Sequence, residues 1–216
     1  MAASYPSLLG GTFFVTFRLD DALPRSFMLN QRLQFYVQQT RCADLPNDAR
    51  RERLRTIRKR LFAHYDEALH QALYGHCYFK DPALSKIVAD VLHQFDGSLY
   101  DLLAYTILPN HVHVLINTNL QLPHEPALID LENYECTALR DILRQVKNTC
   151  GQAINQAIKR DGRLWQRENF DHWVYTEHEF DNILQFIQQN PVRAGLVEKG
   201  EDWGWNYCKE RANNNL

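Results

Sequence analysis

The stretch that decides the fold is residues 99–117, LYDLLAYTILPNHVHVLIN. Two runs rich in β-branched and aromatic residues flank Pro109-Asn110, a dipeptide that is typical of a tight turn. The stretch therefore predicts a β-hairpin whose strands are residues 99–108 and 111–117.

The sequence on either side of this hairpin predicts two further strands and several helices. The strands are residues 11–19 and 170–175, and residues 119–135 are predicted to form a surface loop. The helices are predicted at residues 27–40, 48–73, 81–97, 137–160 and 176–190, the last beginning at a capping box and ending before a proline. This order predicts an α+β fold: a ferredoxin-like βαββαβ antiparallel sheet with helices on one side.

The length of 216 residues favours one domain, residues 1–216, with an insert-like helical region at about 41–96 and a C-terminal tail at about 200–216. No run of 18 apolar residues and no basic-then-apolar leader is present, so we expect neither a membrane span nor a signal peptide. Five widely spaced cysteines without a C-x-x-C pair favour a reducing cytoplasm. The net charge of −2 neither indicates nor excludes a nucleic-acid partner.

His111 and His113 are the first candidate for chemistry. Side chains alternate across a strand, so both imidazoles are predicted on one face, where they are spaced to hold one divalent metal. The alternative is that two polar residues lie on the wetter face of a half-buried strand.

The last predicted helix carries a second candidate pair. Its core stripe consists of Phe180, Ile183, Leu184 and Ile187. Phe186 and Asn190 are i, i+4 neighbours that lie on a flank of this stripe. Without further information, Phe186 packs under the tail and Asn190 ends the helix before Pro191.

Basic residues form a third feature, in two groups. The first group is residues 50–60, RRERLRTIRKR, for which a solvated helix face is an equal alternative to a function. The second group surrounds Trp165 and contains Arg140, Arg144, Lys147, Lys159, Arg160, Arg163 and Arg167. Cations with an interleaved aromatic suit single-stranded nucleic acid, through phosphate neutralisation and base stacking.

Four motifs together resemble the REP-associated tyrosine transposases, bacterial members of the HUH single-tyrosine transposases. The motifs are TFFVTFRL, ILPNHVHVLI, GRLWQRENFDHWV and FIQQNPVRAGLV, and the resemblance extends from about Gly10 to about Tyr207. It implies an HUH transposase-like fold with a C-terminal helix that carries the nucleophile position.

The resemblance also implies a site. His111, His113 and Asn190 would be ligands of Mg²⁺ or Mn²⁺, and a tyrosine at position 186 would form a 5′-phosphotyrosine link during DNA transposition. The partner would be a single-stranded DNA hairpin, a REP-like palindrome with a flanking guide. We expect a monomer, with a dimer as the alternative, in the bacterial cytoplasm at the nucleoid. The residues predicted to bind this DNA are Lys147, Arg163, Trp165, Gln166, Arg167 and Arg193.

The chain departs from the family at position 186, where it has phenylalanine. We therefore expect the chain to be inactive in cleavage. A deliberate change to Phe186 is slightly favoured over a natural, catalytically inactive DNA-binding protein, and Tyr175 is the alternative nucleophile. A third reading is a metal-dependent phosphodiesterase that uses water, which the sequence disfavours because no extra Asp and His ligands are evident.

Overall fold

The computed structural model describes residues 10–121 and 138–210, so most of the predicted loop at 119–135 lies outside the described residues. Within this part the chain forms five strands and five α-helices. In chain order they are β1 (Thr12–Arg18), α1 (Arg25–Arg41), α2 (Asn47–His70), α3 (Pro82–Gln94), β2 (Asp101–Leu108), β3 (His111–Asn117), α4 (Leu139–Ala157), β4 (Phe170–Val174), α5 (Glu177–Arg193) and β5 (Asn206–Cys208).

The strands form one antiparallel sheet in the order β4-β1-β3-β2-β5. The first four strands with α3 and α4 as crossovers make the βαββαβ pattern, so the predicted ferredoxin-like fold is confirmed. Its central hairpin turns at Pro109-Asn110, as the sequence predicts. The tail adds β5 to the edge of β2, and Trp203 Nε1 donates to the Ile107 carbonyl at 3.0 Å.

Helices cover both faces of the sheet, which corrects the prediction that they lie on one side. On the first face, α3 and α4 pack on Val15 and Phe17 of β1 and on the valines of β3. On the second face, Ile187 of α5 packs with Phe14 and Leu115, and Phe62 of α2 packs against the same cluster. The sheet needs this second cover because the strands are apolar on both sides.

The insert differs in extent from the prediction of residues 41–96. The helices that lie outside the βαββαβ pattern are α1 and α2, whereas α3 contributes Val88 and Leu92 to the main core. Helix α1 has no buried residue and exposes Leu29, Leu33 and Tyr36. The first crossover of the fold is thus preceded by a helical hairpin that packs mainly through α2.

Helix α5 begins as predicted but does not end at Pro191. The Thr176 side chain accepts a hydrogen bond from the Glu179 backbone N–H, which caps the helix. The helix then passes through Pro191 to Arg193, and the N–H of Ala194 still bonds to the Asn190 carbonyl at 2.9 Å. Asn190 is therefore a helical residue, and the prediction that the proline ends the helix is wrong. Its side chain is held inside the molecule instead.

In the part of the chain that the structure describes, no helix is both long and apolar enough to cross a membrane. Four cysteines lie within this part and form no disulfide with one another: Cys42, Cys77, Cys150 and Cys208.

Candidate metal centre and basic groove

The two histidines of β3 lie on the buried second face of the sheet. Their side chains are 1% and 0% exposed, and their ring centroids lie 4.8 Å apart. The alternative of a wet strand face is therefore wrong, because α2 and α5 cover this face. Two imidazoles on one strand face are brought together here, as the H-x-H spacing predicts.

Neighbouring polar groups orient both imidazoles. His111 Nδ1 lies 2.7 Å from Asn110 Oδ1, while Asn110 Nδ2 donates to the Leu69 carbonyl. Since that amide oxygen only accepts, His111 carries its proton on Nδ1 and leaves the Nε2 lone pair bare. His113 Nδ1 contacts Thr16 Oγ1 at 2.7 Å. Such outer partners are the usual means of aiming a histidine at a metal.

Helix α2 supplies a carboxylate to the same place. Asp66 Oδ1 lies 3.0 Å from His113 Nε2 and 3.9 Å from His111 Nε2. One ligand atom from each of these three buried residues lies within 4.8 Å of the other two. His70, one turn later on α2, places Nε2 at 3.6 Å from Asp66 Oδ2. The group therefore joins two strand imidazoles to one helical carboxylate.

The donor chemistry of this group fits a divalent cation. Asp66 Oδ1, His111 Nε2 and His113 Nε2 are buried, and none has a geometrically sound hydrogen-bond partner among the described residues. His113 Nε2 and Asp66 Oδ1 lie 3.0 Å apart, so either a proton or a cation must lie between their lone pairs. Carboxylate and imidazole together suit Mn²⁺ and related divalent ions, and carboxylate oxygen also suits Mg²⁺.

The charges inside the centre are strongly coupled. Burial raises the pKa of the Asp66 carboxyl, but the imidazoles of His113, His111 and His70 outweigh burial and hold that pKa well below its usual range. Burial, helped by His113, lowers the pKa of His111 well below its usual value. Asp66 therefore stays ionised, which is the protonation state that a metal requires of a carboxylate ligand.

Helix α5 brings Phe186, Asn190 and Arg193 onto this centre. The Phe186 ring lies 5.2 Å from the His113 ring, centroid to centroid, and the Arg193 guanidinium lies 5.0 Å above the Phe186 ring. Asn190 is fully buried, with Oδ1 at 3.0 Å from His70 Nε2 and Nδ2 at 3.4 Å from an Asp66 oxygen. The flank identified from the sequence therefore faces the histidine pair.

A basic groove lies on the other side of the sheet, between α4 and residues 162–169. Its volume is about 1000 Å³. No lining residue among those described is acidic. Five lining residues are basic: Arg140, Arg144, Lys147, Arg163 and Arg167. Asn148, Gln152 and Asn155 line the same groove. Arg140 and Arg144 each contact Asp141, at 3.5 and 3.3 Å, which offsets part of this charge. The excess of cations that remains favours a polyanionic partner.

Three of the predicted DNA-binding residues place their charged groups at the groove. Arg163 and Arg167 are exposed in the groove, although Arg163 also pairs with Asp20 at 2.9 Å. Lys147 holds the groove wall, because its ammonium donates to the carbonyls of Gln166 and Arg167 at 2.5 and 3.1 Å. Burial lowers the pKa of Lys147 to about 8.

Of the other three predicted residues, Trp165 and Gln166 line the groove, whereas Arg193 does not. Trp165 is 3% exposed and packs on Phe79 and Phe17, so its faces are not free to stack on bases as predicted. Arg193 lies at the metal centre, with Nη2 at 4.0 Å from Asp66 Oδ2, and does not line the groove. Gln166 bonds through Nε2 to Glu168 at 2.6 Å.

Tyr175 lies far from the centre. Its neighbour Val174 pairs with Thr12 of β1, and Thr12 pairs with Asn117 of β3. Asn117 lies at the opposite end of β3 from His111. The length of β3 puts about 20 Å between these ends. Tyr175 is also 61% exposed and packs on Trp173, so the structure does not bring this alternative nucleophile to the histidines.

Sequence reasoning missed Asp66 and His70. The signal was present as an Asp and a His at i, i+4 in a predicted helix, which places both on one helical face. Nothing in the sequence indicates that this face of α2 meets β3.

Arg18 was missed as well. It is buried on β1 opposite His111, and its carbonyl accepts from the Gln166 N–H, so it joins the centre to the groove wall.

Two features of this centre are typical of HUH-class sites. One is the H-x-H pair on a strand, and the other is the facing helix flank with position 186 and, one turn later, Asn190. No family model matches the chain. A Haemophilus influenzae protein that carries the name REP-associated tyrosine transposase is 32% identical over 111 residues, which are 48% of this chain and 56% of that protein. The match confirms the resemblance to REP-associated tyrosine transposases, and it spans about half the length of that relative.

A solved structure of a REP-associated tyrosine transposase bound to a REP hairpin is also similar to the chain. The TM-score is 0.49 at 16% identity, and the alignment covers 95% of this chain and 81% of that one.

Proposed function

We propose that this chain binds a single-stranded DNA hairpin of the REP type and holds Mg²⁺ or Mn²⁺ at the centre beneath α5. With tyrosine at position 186, the same site would nick and rejoin the hairpin as transposases of this class do. The observation that carries the proposal is the meeting of three buried ligand atoms, from Asp66, His111 and His113, with the helix flank that carries Phe186.

Each residue of the centre has a role in this proposal. His111, His113 and Asp66 would hold the ion, and Asn190 is the further ligand that the resemblance implies. When bound, a divalent ion supplies charge that polarises a scissile phosphate. Arg193 lies beside Asp66 and over the Phe186 ring, so its guanidinium is placed to pair with a phosphate that enters there.

The covalent step requires a hydroxyl at position 186. A tyrosine oxygen there would bond to phosphorus, while the bond from phosphorus to the 3′-oxygen breaks and that oxygen leaves as a 3′-hydroxyl after taking up a proton. Phe186 has no such oxygen, so the chain as given binds DNA without cleaving it. A deliberate change and a natural inactive DNA-binding protein both fit this state, and the native codon at position 186 distinguishes them.

A path connects the groove to the centre around one end of the sheet. Lys147 Nζ bonds to the Gln166 carbonyl, the Gln166 N–H bonds to the Arg18 carbonyl, and Arg18 lies opposite His111 in the sheet. Arg18 is 1% exposed, so this connection couples the groove wall to the centre through the protein interior.

Access to the centre requires α2 to move. Asp66, His111, His113 and Asn190 are all at most 1% exposed, so a phosphodiester cannot contact them in this state. An Arg55–Glu179 ion pair at 2.6 Å joins α2 to α5. We therefore expect DNA binding at the centre to be coupled to displacement of the α1–α2 hairpin.

A second candidate function is a metal-dependent phosphodiesterase that uses water. The sequence disfavoured it for want of extra ligands, but Asp66 and His70 now lie in the centre. A cavity of about 230 Å³ borders His70 and His111 and is large enough for several water molecules. In this reaction water oxygen would bond to phosphorus and the sugar oxygen would leave with a proton, without a protein–DNA adduct.

Hairpin binding tests the proposed function directly. Labelled hairpin DNA and a duplex of the same composition would be titrated with the chain at several salt concentrations, with and without Mn²⁺. We expect tighter binding to the hairpin and a steep salt dependence. Equal affinity for both DNAs would contradict the proposal, and release of a 5′-phosphate by the unmodified chain would favour the phosphodiesterase.

A further inference from the structure

The floor of the basic groove contains a niche beside Trp165. The Trp165 ring is fixed from both sides, since it stacks on Phe79 with centroids 5.2 Å apart and meets Phe17 edge-on at 4.8 Å. Although only 3% exposed, the residue lines the groove. The ring therefore presents an edge, and not a face, to whatever the groove holds.

That edge carries a hydrogen-bond donor without a partner. Trp165 Nε1 is buried and has no acceptor among the described residues. Buried side-chain donors are nearly always paired in folded proteins, so an unpaired one in a groove marks a contact that a ligand completes. Trp203, for comparison, donates its indole N–H to a backbone carbonyl.

Gly151 of α4 leaves the niche open. A methyl group built on Gly151 would lie 3.7 Å from Trp165 Cδ1 and 4.0 Å from Nε1, so it would fill the space in front of the indole edge without a clash. Glycine is disfavoured relative to alanine inside a helix. Its presence in the middle of α4, next to an unpaired donor, is explained if the space has a use.

The surroundings select the chemistry of the ligand. The niche lies among the arginines of the groove, and the Lys147 ammonium beside it is already engaged by carbonyls and by Asn169 Oδ1 at 2.7 Å. An acceptor with negative charge, and not a further donor, satisfies both the indole N–H and the arginines. A phosphate oxygen has these properties.

We propose that Trp165 Nε1 donates a hydrogen bond to a non-bridging phosphate oxygen of a nucleic-acid strand that passes over Gly151. The contact rests on the proposed DNA-binding function and names the point where the backbone of the strand is held closest to the protein. Because the donor is neutral, it adds affinity without releasing a counterion.

Indole NMR signals test the contact at the atom itself. The chain has four tryptophans, so ¹⁵N-tryptophan labelling gives four indole signals, and the signal absent from Trp165→Phe identifies Trp165. Hairpin DNA and inorganic phosphate would be added separately. We expect DNA to shift the Trp165 signal and to slow exchange of its proton with solvent.

Two variants test the contribution of the contact to affinity. Trp165→Phe removes the donor and keeps a ring, whereas Gly151→Ala keeps the donor and fills the niche. Both should weaken hairpin binding about tenfold with an unchanged slope of log K against log salt. Gly204→Ala is the matched control, because nothing lies within 4 Å of a methyl group there, and it should bind as the unmodified chain does.

The outcomes separate this contact from the proposed function. If the hairpin binds but neither variant weakens it and the Trp165 signal does not move, the contact is wrong and the function stands. If no DNA binds and inorganic phosphate alone moves the signal, the niche is a free-anion site and the phosphodiester assignment is overturned. A signal that responds to neither ligand overturns the contact as well. A Trp165→Phe chain that fails to fold leaves Gly151→Ala to decide.

Discussion

The two sides of the sheet carry two sites with opposite properties. On one side, the ligand atoms of the metal centre are buried and closed off by α2 and α5. On the other side, the groove along α4 is open, has a volume of about 1000 Å³ and is lined by arginines. Chemistry at a phosphorus atom needs the first kind of environment, and capture of a long polyanion needs the second.

This difference means that affinity and reactivity depend on different residues. Charge in the groove acts over a Debye length and falls with salt, whereas buried donors act only at contact and are screened much less. Variants in one region should therefore leave the other property nearly unchanged. The predictions below test that separation in order of expected effect.

The largest effect is expected at position 186. Phe186→Tyr should produce a covalent protein–DNA adduct with a hairpin substrate in Mn²⁺, seen as a shifted band on a denaturing gel, where the unmodified chain gives none. The reason is that the ring already lies 5.2 Å from the His113 ring, so a hydroxyl added at position 186 lies close to the centre. Hairpin affinity should stay within about twofold, because position 186 is remote from the groove.

The control for this prediction is Phe186→Tyr combined with His113→Ala, which should bind DNA and form no adduct. An adduct with the unmodified chain would contradict the role of position 186. In that case Tyr65 is the first alternative, since it directly precedes Asp66 on α2. Comparison of Tyr65→Phe with Tyr175→Phe would then identify the residue.

The next effect concerns the groove. Replacing Arg140 and Arg144 by alanine should weaken hairpin binding by about 10- to 100-fold at low salt and reduce the slope of log K against log salt by about two. Arg51→Ala/Arg53→Ala is the matched control, because it removes the same charge from the exposed face of α2. If the control weakens binding equally, the groove has no special role and residues 50–60 contribute to the DNA site.

Local patterns predicted β1 to β4 and the five helices, but not β5 in the tail. They also predicted the pairing of His111 with His113, because strand alternation places both on one face. The flank position of Phe186 and Asn190 follows in the same way from helical spacing. The contact of α2 with β3 was not predictable, since it depends on how an inserted hairpin packs and not on any pattern within it. Trp165 shows the same limit: its neighbours in sequence indicate DNA, while its packing on Phe17 and Phe79 is set by tertiary structure.

A metal bound at the centre should stabilise the fold. At a Mn²⁺ concentration about 100 times the Kd, the gain is about 2.7 kcal/mol, which raises the Tm by several degrees. His113→Ala should abolish this increase without changing hairpin affinity in the absence of metal. The exposed His178→Ala should keep the full increase. An equal Tm increase in both variants would place the metal elsewhere, and loss of DNA affinity in His113→Ala would break the separation of the two regions.

The smallest effect concerns the ion pair that holds α2 over the centre. Glu179 is buried, which raises its pKa, but Arg55, the Tyr175 N–H and His172 outweigh burial and lower the pKa from 4.5 to about 2. A carboxyl whose pKa is lower when folded stabilises the fold fully above pH 4.5, and this contribution is lost as pH falls from 4.5 to 2. Its size is roughly 2 kcal/mol after allowance for the half-exposed Arg55. Glu179→Gln should therefore lower the free energy of unfolding by about that amount at pH 7 and by almost nothing at pH 2. Urea unfolding of both chains across this range measures the difference, and a pH-independent difference would show that the carboxylate charge does not hold α2 in place.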